Sequence, residues 1–363
     1  MKQKPAAILN RSCFLFLALI LALPGCAWLR MRRLERTGET VTVGTFQLDT
    51  LVHAPPEKVF DYIANWADTR RIADSADFAK PAPDEILRLG EVMDGKVHLL
   101  GMNIPMRYAI VQSDRPRSIT MAAARSLRGW MITQLTPEGD GTRVHADLHL
   151  FFVPDNPMAV LSRTVLNSQS QSQRITAHAL TRLFKGMIGE IEGRDPKTVR
   201  LEHQNVKRFV DAYFLVEAEF SLPPRELYPL LASAAGLDQA FAGRITFAPA
   251  AESAGAPFGT GSVFSAAAAV GSEKPLTYDA IVVQAETGKQ FRVVVPSPDA
   301  IMEWDFLLQP TRRGSKLIVL MITNYTENAD AATFGTIMLT SQMDRWVREG
   351  LAGFQGAVPK TER

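Results

Sequence analysis

The chain has 363 residues, 46% of them hydrophobic and 21% charged, a balance that excludes a disordered chain and a multi-span membrane protein. Forty Lys and Arg against 38 Asp and Glu leave it near neutral. With no global basic field and no zinc-finger, recognition-helix or basic-aromatic pattern, nucleic acid is not expected as a partner. The length leaves room for two compact domains.

Lys2, Lys4 and Arg11 precede an apolar run from Cys13 to Leu23, followed at once by Pro24-Gly25-Cys26. This is the plan of a secretory signal, and the run is shorter than the roughly 20 apolar residues that cross a bilayer comfortably. Leu23-Pro24-Gly25-Cys26 resembles a bacterial lipobox, in which the Cys is lipidated on its sulfur and becomes the first mature residue; Pro24 departs from the small or aliphatic residue usual there. The resemblance implies a signal peptide over 1–25, lipid attachment at Cys26, a membrane-proximal tether over 26–44 and a place in a bacterial cell envelope. Ala27 is compatible with the outer membrane if the host is Gram-negative. The alternative is an uncleaved signal-anchor in the inner membrane, with Arg30, Arg32 and Arg33 flanking the membrane in either case. Cys13 and Cys26 are the only cysteines, so the body after Cys26 has no disulfide and no thiol set for zinc.

The body reads as a repeat. His53-Ala54-Pro55-Pro56-Glu57-Lys58-Val59-Phe60 has a counterpart in Ser221-Leu222-Pro223-Pro224-Arg225-Glu226-Leu227-Tyr228, and Leu135-Thr136-Pro137 with Gly141-Thr142-Arg143-Val144 has one in Leu308-Gln309-Pro310 with Gly314-Ser315-Lys316-Leu317. Each copy predicts a strand (Phe46 to Val52; Tyr213 to Phe220) running into Pro-Pro, whose second Pro sits in the first turn of a short helix. In the first copy Val59, Phe60, Ile63 and Trp66 form that helix's apolar stripe. β-rich stretches then follow at Glu91 to Leu100, Met106 to Gln112, Ser118 to Ala124, Trp130 to Leu135 and Arg143 to Val153. A long helix closes each copy: Leu161, Val165, Ser168, Ser172, Ile175, Ala179, Leu183 and Met187 in the first, and Leu339, Met343, Trp346, Val347, Gly350 and Phe354 in the second. The charged stretch between them reads as a solvated linker that lets the domains move.

Strand, Pro-Pro, short helix, antiparallel meander and long C-terminal helix resemble the helix-grip fold. The motifs Ala54-Pro55-Pro56-Glu57-Lys58-Val59-Phe60 and Thr136-Pro137…Gly141-Thr142-Arg143-Val144 resemble the START-type and polyketide cyclase/dehydrase superfamily, SRPBCC. The expected fold class is α+β: two helix-grip domains over 45–191 and 212–356, each a curved antiparallel sheet wrapped around a long helix, with a charged linker over 192–211 and a tail over 357–363. The second copy matches more loosely, because Glu57-Lys58 becomes Arg225-Glu226 and Ala-rich stretches at Ala248 to Ala256 and Ala266 to Ala269 blur its strands. The resemblance implies a cavity holding a hydrophobic ligand.

No catalytic constellation or cofactor motif stands out. His145, Asp147 and His149 share one strand face, opposite the apolar Val144, Ala146, Leu148 and Leu150, and read as a solvated outer face rather than a metal site. Gly259-Thr260-Gly261-Ser262 reads as a turn into a strand. The ligand-binding candidates are Met121, Arg125, Trp130 and Gln134 on the strands and Leu180, Phe184 and Met187 on the closing helix. Ser168, Gln169 and Ser172 read as exposed. The expected function is a membrane-tethered envelope protein that binds or carries a lipid or other hydrophobic small molecule, with no cofactor. The alternatives are a protein-interaction module, to which the less bulky second copy inclines, and a cyclase/dehydrase-type enzyme.

Overall fold

The computed structural model describes residues 41–65, 76–78, 87–99, 102–125, 128–152, 169–205, 209–249, 257–268, 276–296, 300–326 and 331–357. The expected signal peptide, Cys26 and most of the tether lie outside the described residues, as do Trp66, Leu161, Val165 and Ser168.

The first unit runs β1 (Val41–Val52), α1 (Pro56–Ala64), β2 (Ala76–Phe78), β3 (Val92–Leu99), β4 (Met102–Asp114), β5 (Ser118–Arg125), β6 (Arg128–Glu138), β7 (Gly141–Phe152) and the closing helix α2 (Gln169–Glu192). After the short strand β8 (His203–Asn205), the second unit repeats the plan. It runs β9 (Phe209–Phe220), α3 (Pro224–Leu231), α4 (Ala234–Ala240), β10 (Ile245–Pro249), β11 (Val263–Ala268), β12 (Leu276–Glu286), β13 (Gln290–Pro296), β14 (Ala300–Thr311), β15 (Gly314–Thr326) and α5 (Ala331–Ala357). The sheets are antiparallel, in the orders β2-β3-β4-β5-β6-β7-β1-β8 and β10-β11-β12-β13-β14-β15-β9. Apart from β8 the two orders coincide. Even the register shift recurs, between Ile110 and Gln112 in β4 and between Val282 and Gln284 in β12.

The two repeated sequence landmarks touch each other. Pro55 and Pro223 are extended N-caps, with Pro56 and Pro224 opening α1 and α3, where a missing N–H costs nothing. The Thr142 hydroxyl donates to the Ala54 carbonyl at 2.7 Å, and the Ser315 hydroxyl to the Leu222 carbonyl at 2.5 Å, so the same bond ties the Pro-Pro corner to the strand in both copies. The preceding glycine makes room: a Cβ on Gly141 would sit 2.5 Å from the Val52 carbonyl oxygen, and one on Gly314 2.1 Å from that of Phe220.

Strand alternation divides each sheet into two buried faces. The inner face of the first sheet, with Phe46, Leu48, Met93, Met106, Ile110, Met121, Met131 and Leu148, packs on α1 and on Phe184, Met187, Ile188 and Ile191 of α2. The outer face packs on the second sheet. Ala109, Val111, Ala122, Ala124, Trp130 and Phe151 form one cluster with Ile281, Val283, Val294, Ile301, Leu320 and Ile322. The two units therefore sit back to back, with their helices on the outsides.

This overturns the expectation of a solvated outer face on β7. His145 is half-exposed, but Asp147 and His149 are buried, and His149 lies with Trp130 at a 4.8 Å ring separation. Burial holds the His149 pKa down to about 3, so the ring is neutral. The linker is corrected too. Val199 is buried in the first core, Leu201 packs on it, and β8 pairs with Gln47 to Asp49 of β1. An open sheet edge carries a row of unpaired backbone groups, and here the connecting chain covers it.

Candidate functional site

The candidate site that the fold offers is the apolar interior between the first sheet and α2. On the C-terminal half of α2, Phe184 stacks on Phe46 of β1 at 5.6 Å, and Met187, Ile188 and Ile191 are buried, closing that end. Toward the N-terminal half, Ala177, Leu180 and Leu183 are partly buried and pack on the same cluster, as does Tyr108 of β4. The Tyr108 phenol pKa is raised by burial, and its hydroxyl lies 3.7 Å from the Met106 sulfur. Five methionines, Met93, Met106, Met121, Met131 and Met187, line this interior, a composition whose unbranched, polarizable side chains re-pack easily around a guest.

Of the expected binding residues, Met121, Phe184 and Met187 lie in this interior, and Leu180 packs on its edge. Trp130 and Gln134 do not, because β6 presents Met131 and Leu135 inward. Trp130 is buried against the second sheet, and Gln134 is exposed. Arg125 also departs from the inner face. Alternation would point it inward after Met121 and Ala123, but its backbone takes a left-handed φ of 82°, and its Nη2 reaches Asp94 at 3.3 Å. Asp94 shares its face with Val92, which packs on the cluster between the sheets, and Arg107 binds it bidentately at 2.8 Å. Those two guanidinium groups hold the Asp94 carboxyl below its ordinary range despite partial burial. Gln169 and Ser172 fall in the first turn of α2, with side chains outside the described residues.

Sequence reasoning passed over Tyr108, Phe46 and two inward hydroxyls, Thr50 and Thr133. The alternation Met106, Tyr108, Ile110 carried the signal for Tyr108, and Phe46, Leu48, Thr50 that for Thr50; on β6, apolar on both faces, nothing in the sequence separated Thr133 from an outward threonine such as Thr120. Thr50 and Thr133 are fully buried, and neither Oγ1 meets a hydrogen-bond partner.

Among the described residues no group of three or more His, Cys, Asp or Glu is placed to hold a metal, and no helix is long and apolar enough to cross a membrane. His145 stands on the outer face between Asp49 and Asp147, each at 3.6 Å, on the side away from the first interior.

Sheet, corner and gripping helix thus define the class, a helix-grip α+β unit present twice. Residues 44–183, which span the first unit up to Leu183 of α2, match the family described as polyketide cyclase / dehydrase and lipid transport. Among solved structures the chain is similar to the di-domain ARO/CYC StfQ from the steffimycin biosynthetic pathway, with 13% identity and a TM-score of 0.31 over 86% of this chain and 99% of that one. It is similar also to an uncharacterized protein from Rhizobium leguminosarum, with 12% identity and a TM-score of 0.32 over 42% of this chain and all of the other. Ara h 8.0201 aligns with 13% identity and a TM-score of 0.30 over 41% of this chain and all of its own. No curated protein matches the chain.

Proposed function

We propose that this protein binds or carries a lipid or other hydrophobic small molecule in the interior of its first helix-grip unit, tethered to a bacterial envelope membrane through Cys26. The observation that carries the reading is the inner face of the first sheet, where methionines and aliphatic side chains face the partly buried Ala177, Leu180 and Leu183 of α2. An interior of that kind favours apolar guests, because the area a guest removes from water contributes about 25 cal/mol per Å². The family description that residues 44–183 match includes lipid transport and is consistent with this. A tether would keep such a carrier beside the bilayer from which its guest is drawn.

A cyclase or dehydrase activity needs a general acid and base facing the bound molecule. The described interior offers the Tyr108 phenol but no carboxylate or imidazole beside it, so binding is the reading adopted.

Two measurements test the proposal. Nile red, an uncharged apolar dye, should bind the full chain with a blue-shifted emission, and a Met121→Trp variant of unchanged melting temperature should lose most of that signal. Cys26→Ala should move the protein from the membrane pellet to the soluble fraction and abolish labelling by an alkyne fatty acid. A dye signal indifferent to Met121→Trp contradicts the binding site. A Cys26→Ala protein that still sediments with membranes contradicts the lipid anchor.

A further inference from the structure

Strand register places the two interiors in correspondence position by position, and they differ in kind. Leu135 pairs with Val144 and that with Thr50 in the first sheet, as Leu308 pairs with Leu317 and that with Ala218 in the second. Following the ladders outward, Met131 corresponds to Trp304, Thr133 to Phe306, Ile119 to Phe291 and Met93 to Phe264, while Tyr108 corresponds to Ala280. The second interior therefore carries rings where the first carries flexible or short side chains. Phe241–Trp304, Trp304–Phe247, Phe247–Phe264, Phe264–Phe258, Phe258–Phe291 and Phe291–Phe306 are successive ring contacts of 4.6 to 6.3 Å. This is the reverse of the less bulky second copy expected from its Ala-rich stretches. Of those alanines, Ala266 and Ala268 of β11 pack beside the rings and leave them room.

The polar groups differ too: the second inner face keeps the buried Thr323 and the Trp304 indole, whose Nε1 can only donate and meets no partner, whereas the first presents hydroxyls that both donate and accept. Thr50, Thr133 and Tyr108 put hydroxyls on the first inner face, and Ala218, Phe306 and Ala280 replace all three in the second. A buried hydroxyl without a partner is costly unless something binds it, and the Thr50 and Thr133 hydroxyls are of that kind. No described charged side chain faces the first interior, because the backbone at Arg125 turns its guanidinium out to Asp94. A carboxylate or phosphate drawn inside would lose its water and gain no counter-charge.

We infer that the chain holds one ligand, that the first unit holds it, and that it is an uncharged apolar molecule bearing hydroxyl or carbonyl oxygens; the second unit is a closed, ring-filled domain that backs the first sheet. The inference rests on the binding reading proposed above.

The test uses the full chain labelled with 13C at the methionine methyls, and two rigid probes of matched shape, 9-anthracenemethanol and 9-anthracenecarboxylate. The expected result is one equivalent of the alcohol, with shifts at Met121 and Met131 and none at Met302, Met321 or Met343, and binding of the carboxylate at least about 10-fold weaker. Thr133→Val, which keeps the side-chain shape, should weaken the alcohol about 5-fold, the worth of one neutral hydrogen bond, and leave 9-methylanthracene unchanged. A second equivalent that shifts Met302 or Met343, a carboxylate bound as tightly as the alcohol, or a Thr133→Val variant indifferent to the alcohol's oxygen overturns the inference while leaving the binding reading intact. Failure of all three anthracenes to shift any methyl overturns the binding reading itself.

Discussion

At the scale of single residues, the Gly-Thr and Gly-Ser pairs explain why two short motifs far apart in each copy are the ones that repeat. Gly141 lets β7 approach the end of β1, and the Thr142 hydroxyl then binds the carbonyl ahead of Pro55. Thr142→Val keeps the shape and leaves that buried carbonyl one donor short, so urea denaturation should show a loss of about 1–2 kcal/mol. Gly314→Ala should cost more, because Gly314 sits at a left-handed φ of 145° and its new methyl would meet the Phe220 carbonyl. His149 carries a pH dependence. Its folded pKa of about 3 lies below the unfolded value of about 6.5, so the unfolded chain binds the extra proton between those values. The stability it confers is complete above about pH 6.5 and falls on acidification, by up to about 1.4 kcal/mol per pH unit. Denaturation midpoints from pH 6.5 to 4.5 should show this slope, and His149→Phe should flatten it; an unchanged slope in the variant would mean that other groups cause it.

At the scale of elements, the sequence made the first copy's strands and both Pro-Pro corners legible, because alternation and proline placement are local signals; in the second copy it bounded only β9, since Ala-rich stretches blur the alternation. β3 to β7 fall close to the stretches read from turn residues and period-two patterns. Among the other missed elements, β2, β8 and α4 are short ones that tertiary contacts create. β8 is a three-residue strand made by the open edge of β1, and α4 is a seven-residue helix capped by the Ser233 hydroxyl. The residues of the candidate interior were legible on α2, where 3- and 4-residue spacing gave Phe184 and Met187, and half legible on the sheet. Trp130 and Gln134 were misplaced because period two says which residues share a face and not which face is gripped: both faces of this sheet are apolar. Arg125 was misplaced because its left-handed backbone breaks the alternation. Helix packing gives a prediction at this scale. Gly350 of α5 lies so close to α4 that a Cβ would sit 2.2 Å from the Ala240 carbonyl oxygen. Gly350→Val should push the helices apart and lower the melting temperature by several degrees, and an unchanged melt would show that the crossing is loose.

At the scale of the whole molecule, two units that could have been beads on a linker share one interior. Its apolar part is the cluster between the sheets, to which register-equivalent positions contribute from both sides: Ala109 and Ile281, Val111 and Val283, Ala122 and Val294. Its polar part is a buried charge network in which Arg128 of the first unit reaches Asp305 at 2.6 Å and Glu303 at 3.1 Å, while Arg292 reaches the same two carboxylates at 3.3 and 3.2 Å. Burial alone would raise the Asp305 pKa; the two arginines outweigh it and keep the carboxylate ionised. Among the described pairs two cations face two anions, so removing one member strands a charge. Arg128→Met should cost about 3–5 kcal/mol and split a single cooperative melt into two. Calorimetry of the variant would show this, and one unsplit transition would contradict the coupling.

If the first interior binds a hydrophobic molecule, as proposed, mass measurement shows it directly. The full chain, purified from its native host and sprayed under native conditions, should carry a single neutral adduct. Solvent extraction of the same sample should release one apolar compound in about one-to-one ratio, and Met121→Trp should abolish it. A bare protein mass, unchanged after incubation with membrane lipids, would contradict the claim.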